Sequence, residues 1–138
     1  MSLAVFDAVI RGVNCILGLA GELSQAEERR RDRVAAWIQE LGEIIQDVAD
    51  KLELNDYPHN TCAQMEIMVE HFPLIVGDLV HETKIETIQE TLRLSTKIET
   101  LFGEAQNVDK EQRDDMINTL LRASGKLQGL ASIIKHMD

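Results

Sequence analysis

His59, Cys62 and His71 are the residues whose types most directly invite chemistry, because imidazole nitrogens and thiolate sulfurs are zinc ligands. Their spacing matches no compact finger or ribbon, and Cys62 opens an apolar helix face. They read as a loop histidine, a packed thiol and a histidine at a helix kink. "DLVH", Asp78 to His81, has the carboxylate-x-x-histidine spacing of di-iron bundles, with Glu66 and Glu70 upstream on the same expected helix. Such a centre needs a second copy of the motif and two further inward carboxylates, and the sequence supplies neither. GxSxG, a glycine-rich phosphate loop and HExxH are absent, and "HETK" at 81–84 only echoes the last. The expectation is a non-enzymatic chain with no catalytic residue, metal or cofactor, acting through a protein partner or through self-association.

Charge separates two candidate binding surfaces. Residues 55–83 carry Asp56, Glu66, Glu70, Asp78 and Glu82 with no Lys or Arg, a face suited to a basic protein partner in a signalling or assembly adaptor. By contrast, "ERRRDR" at 28–33 concentrates Arg29, Arg30, Arg31 and Arg33. Mixed runs of this kind usually form a solvated first turn, here with Glu27, Glu28 and Asp32 as internal partners. The alternative is contact with anionic lipid headgroups, where each arginine near the surface adds ~1 kcal/mol. The net charge of −10 opposes binding to a polyanion, so nucleic acid is not an expected partner.

The elements that must position these residues are helical. Hydrophobic residues make up 44% of the 138-residue chain but aromatics only 4%, and two prolines and eight glycines interrupt it, a composition that favours helix. "LAVFDAVIRGVNCILGLAGEL" at 3–23 is apolar, yet its longest uncharged run, Gly12 to Gly21, is ten residues where a membrane span needs about twenty. On a helix, Asp7, Arg11, Asn14, Gly18, Gly21 and Glu22 form a narrow stripe with Asp7 and Arg11 able to pair. Phe6, Ile10, Val13, Ile16 and Leu17 belong to the wide apolar remainder. The segment therefore reads as a core helix at rest.

Capping-box patterns at Ser24/Glu27, Thr61/Gln64 and Thr83/Glu86, with Asp109/Gln112 opening the last helix, set four further starts. The second helix runs to about Leu54 on the seam Val34, Ile38, Leu41, Ile45, Val48 and Leu52, widened by Trp37 and Ile44. After the loop "NDYPHN", a third helix is lined by Met65, Met68, Phe72, Ile75, Val76 and Leu79, with a kink expected near Phe72 from Pro73. Ile85, Ile88, Leu92, Ser95, Ile98 and Phe102 mark a fourth helix ended by Gly103. Met116, Ile117, Leu120, Leu127, Leu130, Ala131 and Ile134 mark the fifth. Residues 1–138 are expected to form one all-α domain, an antiparallel four- to five-helix bundle. Cys15 and Cys62 are expected as buried thiols in a reducing, cytoplasmic compartment.

An apolar N-terminal helix, a long charged amphipathic helix, a Cys-initiated helix ("NTCAQMEIMVEHFPLIVGDL") and two more helices resemble the HeLo and Bell class of cell-death bundles. The order is similar in outline to the N-terminal bundle of mixed-lineage kinase-like pseudokinases. The resemblance implies a cytosolic four-helix bundle that oligomerises when triggered and perturbs membranes through its first helix, in a cell-death or defence pathway. The membrane candidates would then be Phe6, Ile10, Val13, Ile16 and Leu17, strengthened by the four arginines, and the chain would associate with anionic membrane on activation. Asp7 and Arg11, near the middle of the first helix, depart from that outline, as does the absence of a following sensor or kinase-like domain.

Overall fold

The seam from Val34 to Leu52, with Trp37 and Ile44, is buried along its whole length in one 26-residue helix. The computed structural model describes residues 3–57 and 59–137, with the backbone alone for His59 and Ile98. Their regular structure is entirely helical: α1 (Ala4–Leu17), α2 (Ala20–Leu23), α3 (Glu28–Glu53), α4 (His59–Val76), a 3-10 turn (Gly77–Leu79), α5 (Glu82–Ser95), α6 (Ile98–Gln106) and α7 (Lys110–Lys135).

Helices α3 and α7 make the most extensive contact. Arg31 Nη1 donates to the Met137 carbonyl, Gly42 meets Ser124, and Glu53 lies beside Ile117, so numbers rise along one helix as they fall along the other. The two helices approach closely at Gly42, where an added Cβ would lie 2.9 Å from Gln128 Cγ and 3.2 Å from the Ser124 carbonyl. The buried Ser124 hydroxyl donates to the Gly42 carbonyl at 2.6 Å, which satisfies it inside the interface. Around this pair, α4 packs on α3 and α5, and α1 packs on α5, α6 and α7.

Pro73, where a kink is expected, does not interrupt α4, which continues three residues beyond it to Val76. Proline removes the N–H that would bond the Val69 carbonyl. The Gln89 side chain on α5 donates to that carbonyl instead, at 3.2 Å, and Trp37 Nε1 donates to the neighbouring Met68 carbonyl at 3.0 Å. Trp37 also packs on Phe72, ring centroids 5.3 Å apart. The helix ends at Gly77, whose φ of 51° needs glycine and whose added Cβ would collide with the Arg30 guanidinium.

Several expected boundaries move for identifiable reasons. The apolar stretch at 3–23 splits at Gly18, where Leu19 N–H bonds Ile16 three residues back and the chain turns Leu19 and Leu23 into the core. The expected fourth helix divides into α5 and α6. Ser95 and Thr96 turn their hydroxyls back onto the Leu92 and Arg93 carbonyls, ending α5, and α6 passes through Gly103. The new phase buries Leu101 and Ala105 and leaves Phe102 half-buried; the Ile98 side chain lies outside the described residues.

Three of the capping patterns are not used as caps. Ser24 donates to the Gly21 carbonyl, closing α2. Thr61 is buried inside α4, where it donates to Asp47 at 2.8 Å and accepts from Lys51 at 3.2 Å. At α5 the cap is His81, whose Nδ1 accepts from Thr83 N–H, rather than Thr83. Asp109 does cap α7, accepting from Gln112 N–H at 2.8 Å.

Candidate interaction surfaces

Cys62 and His71 both lie on α4, nine residues apart, which is about 13.5 Å along a helix axis and too far to share one metal ion. Cys62 is half-buried rather than buried and donates to the Thr96 carbonyl at 3.2 Å; Cys15 is half-buried too, and neither is in a disulfide. His71 is exposed, and the His59 side chain lies outside the described residues. Asp78 and His81 are not on one α-helix, because Asp78 sits in the 3-10 turn and His81 caps α5. Among the described residues no three His, Cys, Asp or Glu side chains converge as a metal site would require.

The arginine run divides by role. Arg30 donates to Asp78 Oδ1 at 2.6 Å and to the Val76 carbonyl at 3.0 Å, closing the C-terminal end of α4, and Arg31 holds the Met137 carbonyl at 2.9 Å. Arg29 and Arg33, one turn apart on α3, are exposed and join none of the four ion pairs among the described residues. The internal pairing expected with Glu27, Glu28 and Asp32 is absent from that set. The Arg30 hydrogen bond holds the Asp78 carboxyl below its ordinary value. Burial works to raise Asp47, but the hydrogen bonds from Lys51 and Thr61 outweigh it and the net shift is downward. A hydrogen bond from Lys84 lowers Glu22 in the same way.

The expected stripe is divided by the break at Gly18: Asp7, Arg11 and Asn14 are exposed on α1, Gly18 is exposed at its C-cap, and on α2 Gly21 is exposed and Glu22 half-buried. Asp7 and Arg11 are not among the ion pairs, and Glu22 pairs with Lys84 instead. Val13 and Ile16 are buried, while Phe6, Ile10 and Leu17 pack against the core half-buried. Leu3, at the N-cap position, offers no side-chain acceptor. Glu104 of α6 supplies it from far along the chain, its two carboxylate oxygens accepting from Val5 N–H and Phe6 N–H at 3.0 Å each. No helix among the described residues is long and apolar enough to cross a membrane.

Asp56, Glu66, Glu70, Asp78 and Glu82 are all exposed, but they do not form one free face. Asp78 is engaged by Arg30, and Glu70 lies 3.4 Å from Arg93 in a pair whose two side chains are more than half exposed. What the acidic residues border is apolar. Ile67 is 59% exposed and Leu74 80% exposed on α4, seven residues apart, with Ala63, Glu66 and Glu70 on the same outer side by helical phase. A groove of about 810 Å³ between α3 and α7 is lined by Asp32, Gln39, Glu40, Glu43, Lys135 and His136 among others, and touches none of the arginines or acidic-face candidates.

No protein-family model, curated protein or solved structure matches the chain. Its surfaces must therefore be read from their own chemistry. Glu104 gave no local signal, since its partners lie 98 and 99 residues away. Ile67 and Leu74 left only a partial one: they fall outside the expected apolar row of α4, but so does Val69, which is buried.

Proposed function

We propose that the chain is a non-enzymatic interaction module, an antiparallel bundle of four to five principal helices that binds a basic amphipathic protein segment through the outer face of α4. The exposure of Ile67 and Leu74 beside Glu66 and Glu70 carries this reading. Each aliphatic side chain left in water forgoes roughly 1.5 to 3 kcal/mol relative to full burial, which a docked helix would recover. The flanking carboxylates favour a cationic partner and speed its approach. Titration with a synthetic helix bearing leucine on one face and lysine on the other tests it. Saturable binding that weakens with salt and is lost in Ile67→Glu/Leu74→Glu is expected. No binding, or equal binding by that variant, would overturn it.

A second reading follows from the resemblance to HeLo and Bell bundles: a cytoplasmic effector in a cell-death or defence pathway whose α1 leaves the bundle and perturbs anionic membrane. One observation favours it, that one distant side chain, Glu104, supplies the acceptors for two first-turn amides of α1, with Phe6, Ile10 and Leu17 already half-exposed. Once released, α1 would lie at an interface beside Arg29 and Arg33. Glu104→Ala should then leak dye from anionic vesicles faster than the parent chain. Equal leakage by the two proteins sinks this reading.

A further inference from the structure

The C-terminal half of α7 is the electrostatic opposite of α4. Residues 121–137 contain Arg122, Lys126 and Lys135 and no acidic residue, whereas residues 55–83 contain five carboxylates and no Lys or Arg. The outer side of this half is also unpartnered. Ile133 is 64% exposed, Arg122 and Lys126 are exposed and join no ion pair among the described residues, and Gly125 and Gly129 would meet nothing within 4 Å if given a Cβ. Glycine weakens a helix interior, and packing within the chain gives no reason for these two. Both α4 and α7 pack on α3 with their outer faces toward solvent, so one chain cannot bring the two faces together.

We propose that the basic segment bound by α4 is the outer face of α7 on a second copy of this chain, which rests on the reading of α4 given above. Glu66 and Glu70 are four residues apart, as are Arg122 and Lys126, about 6 Å along either helix, so one parallel alignment forms both charge pairs. In that alignment Leu74, four residues past Glu70, falls within one residue of Gly129, where the missing side chain leaves room for it. Glu70 is available because its pair with Arg93 is solvent-exposed and weak. The contact is heterologous. Each added copy presents a free α4 face at one end and a free α7 face at the other, so assembly continues unless the rotation closes a ring.

Sedimentation velocity of the full chain across micromolar to millimolar concentration tests this. The parent chain should grow with concentration and shrink with salt. Glu66→Lys/Glu70→Lys and Arg122→Glu/Lys126→Glu should each remain monomeric, with association at least about ten-fold weaker. Mixed together they should assemble again, because the intact α4 face of one variant meets the intact α7 face of the other and the two charge-reversed faces are complementary as well. Gly129→Leu should also be monomeric, while its exposed, open position keeps the fold intact. A parent chain that stays monomeric throughout, reversed variants that assemble like the parent, a mixture that stays monomeric, or a Gly129→Leu chain that still assembles would each overturn the proposal. If the parent is monomeric yet binds the leucine-lysine helix through α4, the second copy is the wrong partner and the α4 reading survives. If it does neither, both fall.

Discussion

Arg30 and Asp78 meet at 2.6 Å, so the arginine run and the acidic segment, which look like separate surfaces along the sequence, are joined at the end of α4. Asp78, Asp47 and Glu22 all have carboxyls held below their ordinary values, so all three bind protons less readily folded than unfolded. Their contribution is fully present above the unfolded values of 3.8 and 4.5 and is lost as pH falls through the lower folded ones. Tm should fall as pH drops below this range. Arg30→Ala should lower Tm at neutral pH by freeing the Val76 carbonyl and should remove the Asp78 part of the acid response. A Tm unchanged by Arg30→Ala would contradict this role.

Two glycine substitutions should act with opposite sign. Gly42→Ala forces a methyl group against Gln128 and the Ser124 carbonyl, and should destabilise the chain by about 1 to 3 kcal/mol. Gly129→Ala meets nothing and should stabilise it by about 0.5 to 1 kcal/mol. Urea unfolding at a concentration low enough to prevent association reads both. Effects of equal sign would mean that the α3–α7 approach is misplaced.

Gln89 and Pro73 should be coupled. Gln89→Ala leaves the Val69 carbonyl, within a buried residue, without its donor, at a cost of about 1 to 3 kcal/mol. With Pro73→Ala already in place, the restored N–H can supply that bond, and the cost of Gln89→Ala should shrink. Strictly additive effects in the double-mutant cycle would show that Gln89 is not compensating for proline.

Glu104→Gln removes the charge of the clamp on α1 and also replaces one of the two acceptors with an NH2 donor facing a backbone N–H, and Glu104→Ala removes both acceptors; each should cost about 0.5 to 2 kcal/mol. Hydrogen exchange at the Val5 and Phe6 amides should accelerate in both, most in the alanine variant. Unchanged exchange would show that the clamp does not hold the first turn.

How far the sequence discloses the fold depends on how local the deciding interaction is. The α3 seam was legible because its steps of four and three persist through the helix, and the Asp109 cap because donor and acceptor lie three residues apart. Ser24, Thr61 and Thr83 fit the same local pattern, yet Ser24 and Thr61 place their hydroxyls elsewhere and His81 caps the helix that Thr83 was expected to open. The division between α5 and α6 was hidden because Ile88, Leu92 and Ser95 continue in phase up to the break, and only the rotation that buries Leu101 reveals it. The acidic segment was visible as composition, but its apolar centre at Ile67 and Leu74 required knowing which side of α4 the core occupies.

The α4 face is the central claim, and backbone amide NMR of the full chain titrated with the leucine-lysine helix tests it most directly. Shifts should concentrate on the outer side of residues 63–74, strongest near Ile67 and Leu74, and collapse at high salt. Shifts gathered instead along the groove between α3 and α7, or spread evenly over the surface, would contradict the account.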